Sequence, residues 1–153
     1  MSGPLRIAPL SVDDMDAVER VLLASFNWAM PDIPKLHTPD ENRSFLRQQL
    51  FPRATMVGAW RDNELIGYIA FKPGWVEHLY VLSNHAGSGV GSALLAAAKQ
   101  ANTELDLWTF RRNMRARRFY EERGFVAVEE TDGAGNEERE PDVRYRWQLT
   151  PAA

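Results

Sequence analysis

The sequence predicts an α+β fold of the mixed α/β kind: a central, mostly antiparallel, twisted sheet of about seven strands flanked by about four helices. Three observations lead there. Period-two and period-3.6 segments follow one another as strand, two helices, three strands, helix, strand, helix and two strands. The three consecutive strands are separated only by short turns at 61–63 and 72–74, which makes neighbours antiparallel. The last of them runs through a glycine-rich turn into an amphipathic helix.

In order, Leu5 and Ile7 alternate with polar neighbours in a short first strand. Ser11 with Asp14 is a capping pair, and Met15, Val18, Val21, Leu22 and Ser25 follow at helical spacing. Asn27 to His37, with two prolines, reads as a loop. Thr38-Pro39-Asp40-Glu41 is a second capping box, opening a helix that ends near Pro52. Strands follow at Thr55–Trp60, Glu64–Phe71 and Trp75–Leu82. The next helix places Val90, Ala93, Leu94, Ala97 and Ala101 on one face. Glu104–Phe110 is strand-like, and Asn113–Arg123 is a helix with Ala116, Phe119 and Tyr120 inward and Gly124 at a left-handed cap. Phe125–Val128 and Val143–Leu149 are the last strands, joined by an acidic segment, Glu129–Asp142, read as a solvated hairpin.

A chain of 153 residues without repeat or linker suggests one domain over 1–153. A net charge of −3 provides no general field for nucleic acid or an anionic membrane. Arg111, Arg112, Arg115, Arg117 and Arg118 are spread over several helix faces, so no nucleic-acid partner is expected. No apolar run reaches the roughly 20 residues of a membrane span, and MSGPLRIAPL is not a secretory leader. Together with the absence of cysteine, this points to a cytoplasmic protein without disulfides or a thiol nucleophile. The histidines lack metal-ligand spacing, so no metal is expected. The last strands leave a homodimer open through edge pairing.

The segment His85-Ala86-Gly87-Ser88-Gly89-Val90-Gly91-Ser92 lies where a strand becomes a helix. Glycines there let the backbone approach a ligand, and the first amides of a helix attract an anion. A dinucleotide fingerprint fails, because the sixth position counted from Gly87 is Ser92. A P-loop fails for want of lysine.

Leu79 to Leu95, LYVLSNHAGSGVGSALL, resembles the acetyl-CoA-binding motif of the GNAT superfamily of N-acetyltransferases. Asn113 to Phe125, NMRARRFYEERGF, is similar to that family's second hallmark, and element order matches along nearly the whole chain. The resemblance implies acetyl-CoA as acyl donor, CoA as product, and direct transfer to a small-molecule or peptide amine. By it, Leu79, Tyr80, Val81 and Leu82 run beside the cofactor. Ala86, Gly87, Ser88, Gly89, Val90, Gly91 and Ser92 wrap its pyrophosphate, while Asn113 and Tyr120 reach its arm. One position departs from the family pattern: Ala86 stands where Gln or Arg is usual, which removes a side-chain bond worth about 1–2 kcal/mol but no backbone amide.

Amine acetylation requires loss of an ammonium proton, a donor for the thioester oxygen and a proton for the leaving thiolate. The resemblance implies Tyr120 as the acid and a backbone amide, Val81, as the oxygen's donor. Strand alternation puts Glu77 on the face of Leu79 and Val81, making it a candidate base and substrate contact; His78 and water are the alternatives. Trp28, in the expected loop, is a candidate substrate contact. A CoA-binding sensor without catalysis is the rival reading.

Overall fold

The computed structural model describes residues 3–150. Its strands are β1 (Arg6–Pro9), β2 (Thr55–Arg61), β3 (Glu64–Lys72), β4 (Trp75–Val81), β5 (Glu104–Phe110), β6 (Val126–Thr131) and β7 (Asp142–Gln148). Its α-helices are α1 (Met15–Ala29), α2 (Pro39–Phe45), α3 (Val90–Gln100) and α4 (Met114–Glu121). None of the helices is long and apolar enough to cross a membrane.

Local chemistry explains most boundaries. Ser11 and Asp14 form their capping box, with the Ser11 amide donating to Asp14 Oδ2 at 2.8 Å. Thr38 and Glu41 form the second, at 3.1 and 2.9 Å. A π-helical turn, Leu46–Leu50, continues α2 and buries Leu46 and Leu50 before Pro52. Two expectations need correction. The loop begins at Met30 rather than Asn27, because Pro31, not the composition around Trp28, ends α1. The inner face of α3 is Val90, Leu94, Leu95 and Ala98, whereas Ala101 is exposed. Both β3 and α3 have leucine or isoleucine to bury there, so tertiary packing overrides the alanine stripe.

The sheet order is β1-β2-β3-β4-β5-β7-β6, antiparallel throughout except for the parallel pair β4 and β5. One core, built on Met15, Val18, Val21, Leu46 and Tyr68, lies under α1 and α2. The other, built on Ile69, Leu94, Leu107, Tyr120 and Tyr145, lies under α3 and α4. Buried Asp106 is held between Arg146, at 2.8 and 3.0 Å, and Arg144, at 3.2 Å, tying β5 to β7.

The parallel junction is what creates a site. Strands β4 and β5 share a single ladder pair, Trp75 with Asp106, and the Asp106 amide donates to Gly74 O at 2.8 Å. Beyond that apex they part, leaving the inner edges of both facing a wedge in the middle of the sheet.

Candidate functional site

The wedge opens into a cavity of about 810 Å³. Its β4 wall is continuous from Val76 to Val81, and its β5 wall runs from Leu107 to Phe110. In the antiparallel β3–β4 ladder the Leu82 amide donates to Ile66 O at 2.8 Å, so alternate residues turn toward β3. Val81 is one of the others: its carbonyl accepts from Ser25 Oγ at 3.0 Å on the far side. The Val81 and Leu79 amides are therefore edge groups on the wedge.

The alternation expected for Glu77 is interrupted at Glu77 itself. His78 pairs with Ala70 and Val76 with Phe71, so Glu77 is the extra residue of a β-bulge. Val76, not Glu77, joins the α3-side core beside Leu79 and Val81. Glu77 still lines the cavity, and it pairs with Lys72 Nζ at 2.9 Å. His78 lies 2.9 Å, through Nδ1, from the Tyr68 hydroxyl, and burial pulls it down to about 4, so it is neutral near pH 7.

At the tip of β4 the chain makes a 3-10 turn, Ser83–His85, and enters the glycine segment. Gly87 and Gly89 have φ of +77° and +88°, and open space surrounds both. Gly91 serves differently: a Cβ there would stand 3.1 Å from the Phe119 ring, so its hydrogen allows α4 against α3. The first α3 bond at this turn, Ala93 N–H to Gly89 O, leaves the amides of Val90, Gly91 and Ser92 without helical partners. Ala86, Gly87 and Gly91 reach the cavity wall. Ser88, Gly89, Val90 and Ser92 continue the turn beyond it. The Val90 side chain is fully buried in the core, and Ser92 Oγ accepts from Arg123 Nε at 2.9 Å. Leu82 packs between the two cores rather than into the cavity. His85 Nδ1 lies 3.1 Å from an Arg61 guanidinium nitrogen.

Across the wedge, Asn113 caps α4, accepting from the Ala116 amide at 3.1 Å, and also lines the cavity. Tyr120, about two turns later, lines it too, packed edge-on against Phe119 and Phe125 at 5.3 and 5.4 Å. Burial lifts its hydroxyl well above the ordinary tyrosine range, and nearby Tyr80 adds to this. Tyr80, raised to about 12 by burial and then by Glu138, also lines the cavity. Trp28 reaches the wall from the last turn of α1, with the Arg115 guanidinium 4.5 Å from its ring centroid.

Composition alone misses two groups. Phe26 and Phe110 meet edge-on at 6.3 Å in the cavity wall, and Trp108, on β5, is exposed on its rim. The acidic segment is the expected hairpin, joining antiparallel β6 and β7, but it is not solvated throughout: Glu129, Thr131, Asn136, Glu138 and Asp142 contribute to the wall. Asn136 Nδ2 donates to Glu140 O at 2.7 Å, and its Oδ1 accepts from the Glu140 amide at 3.1 Å. Gly133 has φ of +88° and lies so close to the Glu140 backbone that no Cβ would fit. Glycine and asparagine within that acidic run were the signal for a fixed turn.

This geometry has relatives. A curated sequence from Archaeoglobus fulgidus, described as an uncharacterized N-acetyltransferase, is 27% identical over 141 residues, covering 82% of this chain and 95% of its own. The solution structure of apo YjaB from Escherichia coli superposes with a TM-score of 0.78 at 16% identity, covering 96% of this chain and 99% of that one. The crystal structure of the PaiA N-acetyltransferase from Thermoplasma acidophilum in complex with coenzyme A does so at 0.75 and 22%, covering 95% and 99%. The model of the acetyltransferase (GNAT) family matches residues 22–125, from α1 through the glycine turn to the residue after Gly124. With both motifs inside that span, the chain belongs to the GNAT family and is an acyltransferase.

Proposed function

We propose that this chain acts as one N-acetyltransferase domain, moving the acetyl group of acetyl-CoA directly onto an amine within a ternary complex. The observation that carries the reading is the meeting, on one cavity, of the β4 inner edge, the open first turn of α3 and buried Tyr120. Open space at Gly87 and Gly89 fits a pyrophosphate on backbone amides, which the alanine at position 86 does not impair. The related PaiA structure holding coenzyme A supports the same choice of donor.

In the reaction a C–N bond forms, the thioester C–S bond breaks, and the ammonium nitrogen loses two protons: one to solvent before attack, and one afterwards that ends on sulfur. The Val81 amide donates to the thioester oxygen as negative charge gathers there. Glu77, exposed at its outer edge, passes the ammonium proton to water. His78, neutral and tied to Tyr68, is too weak a base for that step. Tyr120 keeps its proton because it is buried, so it donates a hydrogen bond to the departing sulfur rather than starting as a phenolate. The rival reading, a CoA-binding sensor, uses the Tyr120 ring for packing but gives its hydroxyl no task.

Calorimetry with CoA, run beside thiol release from acetyl-CoA with an amine, tests this. Micromolar CoA binding with amine-dependent thiol release is expected. No binding at millimolar CoA removes the donor; binding without thiol release under any amine leaves the sensor.

A further inference from the structure

A second cavity of about 400 Å³ lies on the α1–α2 side of β4. It shares Phe26, His78, Tyr80 and Glu138 with the first, so only one layer of side chains separates the two. Its far walls are Leu22, Leu23, Pro34, Leu36 and Phe45. Leu36 and Phe45 are each 46% exposed, although one face of Phe45 stacks on His78 at 6.3 Å.

Its charges are mostly committed. His37 Nε2 pairs with Glu137 at 3.0 Å, and Glu41 is held by the Thr38 cap and by His37 at 3.8 Å. Glu138 alone of its carboxylates makes no ion pair among the described residues, and it is half-buried where the two cavities adjoin. Arg139, next to it, takes φ of +55°, and the Asn136–Glu140 bonds fix the loop, so Glu138 is presented rather than trailing in solvent.

We infer that this second cavity holds the acceptor, that the acceptor is a primary amine on an uncharged apolar body, and that Glu138 pairs with its ammonium at the entrance to the transfer cavity. A single uncommitted carboxylate matches one positive charge, while the other two carboxylates are already paired and Lys35 in the wall repels a second cation. The inference rests on the transfer reading above. Glu138 positions the amine; the cavity walls determine which body it carries.

The test compares 2-phenylethylamine with spermidine, both in turnover with acetyl-CoA and in calorimetric binding to the CoA-saturated enzyme. 2-Phenylethylamine is expected to be preferred in kcat/KM by about tenfold or more. Glu138→Gln should raise its KM about tenfold, with the Kd for CoA unchanged and with less effect on spermidine. Leu36→Arg, at an exposed position that folding does not depend on, should also raise that KM by placing a cation in the apolar wall. Preference for spermidine, or equal loss for both amines in Glu138→Gln, overturns the inference and leaves acetyl transfer standing. Binding of 2-phenylethylamine that Glu138→Gln weakens, without any acetylation, supports the cavity and overturns transfer. Neither binding nor turnover of 2-phenylethylamine overturns the inference.

Discussion

Tyr120 shows how one residue acquires two roles from one position. As an aromatic on the inward face of α4 it packs against Phe119, Phe125 and Tyr145; as a cavity-wall residue it keeps a proton that burial prevents it from losing. Replacing it with phenylalanine retains the packing and removes only the hydroxyl. We expect kcat to fall about 100-fold while the melting temperature and the Kd for CoA stay near wild type. Unchanged turnover in that variant would take Tyr120 out of the mechanism. Glu77 is the counter-example: it lines the cavity, but not on the face that strand alternation gave it. A one-residue bulge shifts everything beyond it, and no local signal in WVEHLYV marks where the extra residue falls.

At the scale of elements, the glycine turn performs two separate tasks. Gly89 needs a left-handed backbone and meets nothing around it, so Gly89→Ala should cost about 1–2 kcal/mol of stability through strain. Gly91 needs space, since an added methyl would press on the Phe119 ring between α3 and α4. Gly89→Ala, beside the open space that fits the pyrophosphate, is therefore expected to weaken CoA binding more than Gly91→Ala does, relative to the stability each loses. Calorimetry and thermal melts on the two variants would separate strain from crowding; equal ratios would show that the distinction is wrong. The capping boxes, both hairpin turns and the Gly124 cap were legible because each depends on residues within four positions. The reach of α1 to Ala29 and the built loop at 129–142 were not. Pro31 sets how far α1 can run, but whether it runs past Asn27 depends on where Phe26 and Trp28 find partners; the second depends on Asn136 closing onto Glu140.

Across the whole molecule, the loop after α1 and the loop before β7 are held together by His37 and Glu137, 100 residues apart in sequence. Glu137 and, more weakly, Glu41 raise the His37 pKa above 6.5. A raised value means this contribution is fully present below pH 6.5 and is lost as pH rises through the folded-state value. The Thr38 cap lowers Glu41 below 4.5, so its own share is present above that and is lost as pH falls through the depressed value. The tie is thus strongest between about pH 5 and 6.5. His37→Gln should lower the melting temperature more at pH 5.5 than at pH 8; a loss independent of pH would show that the pair is only a surface contact.

By itself, the sequence determined the order of elements, the α+β layer, the glycine turn between strand and helix and the inward face of α4 that carries Tyr120. Those features rest on periodicity, capping and backbone freedom, which act over a few residues. Only the tertiary structure decided that β4 and β5 part after a single pair, that Glu77 sits on a bulge and that an acidic loop forms cavity wall. Each of these arises from contacts between segments far apart in the chain, where local propensity carries no information and packing of the whole sheet sets the outcome.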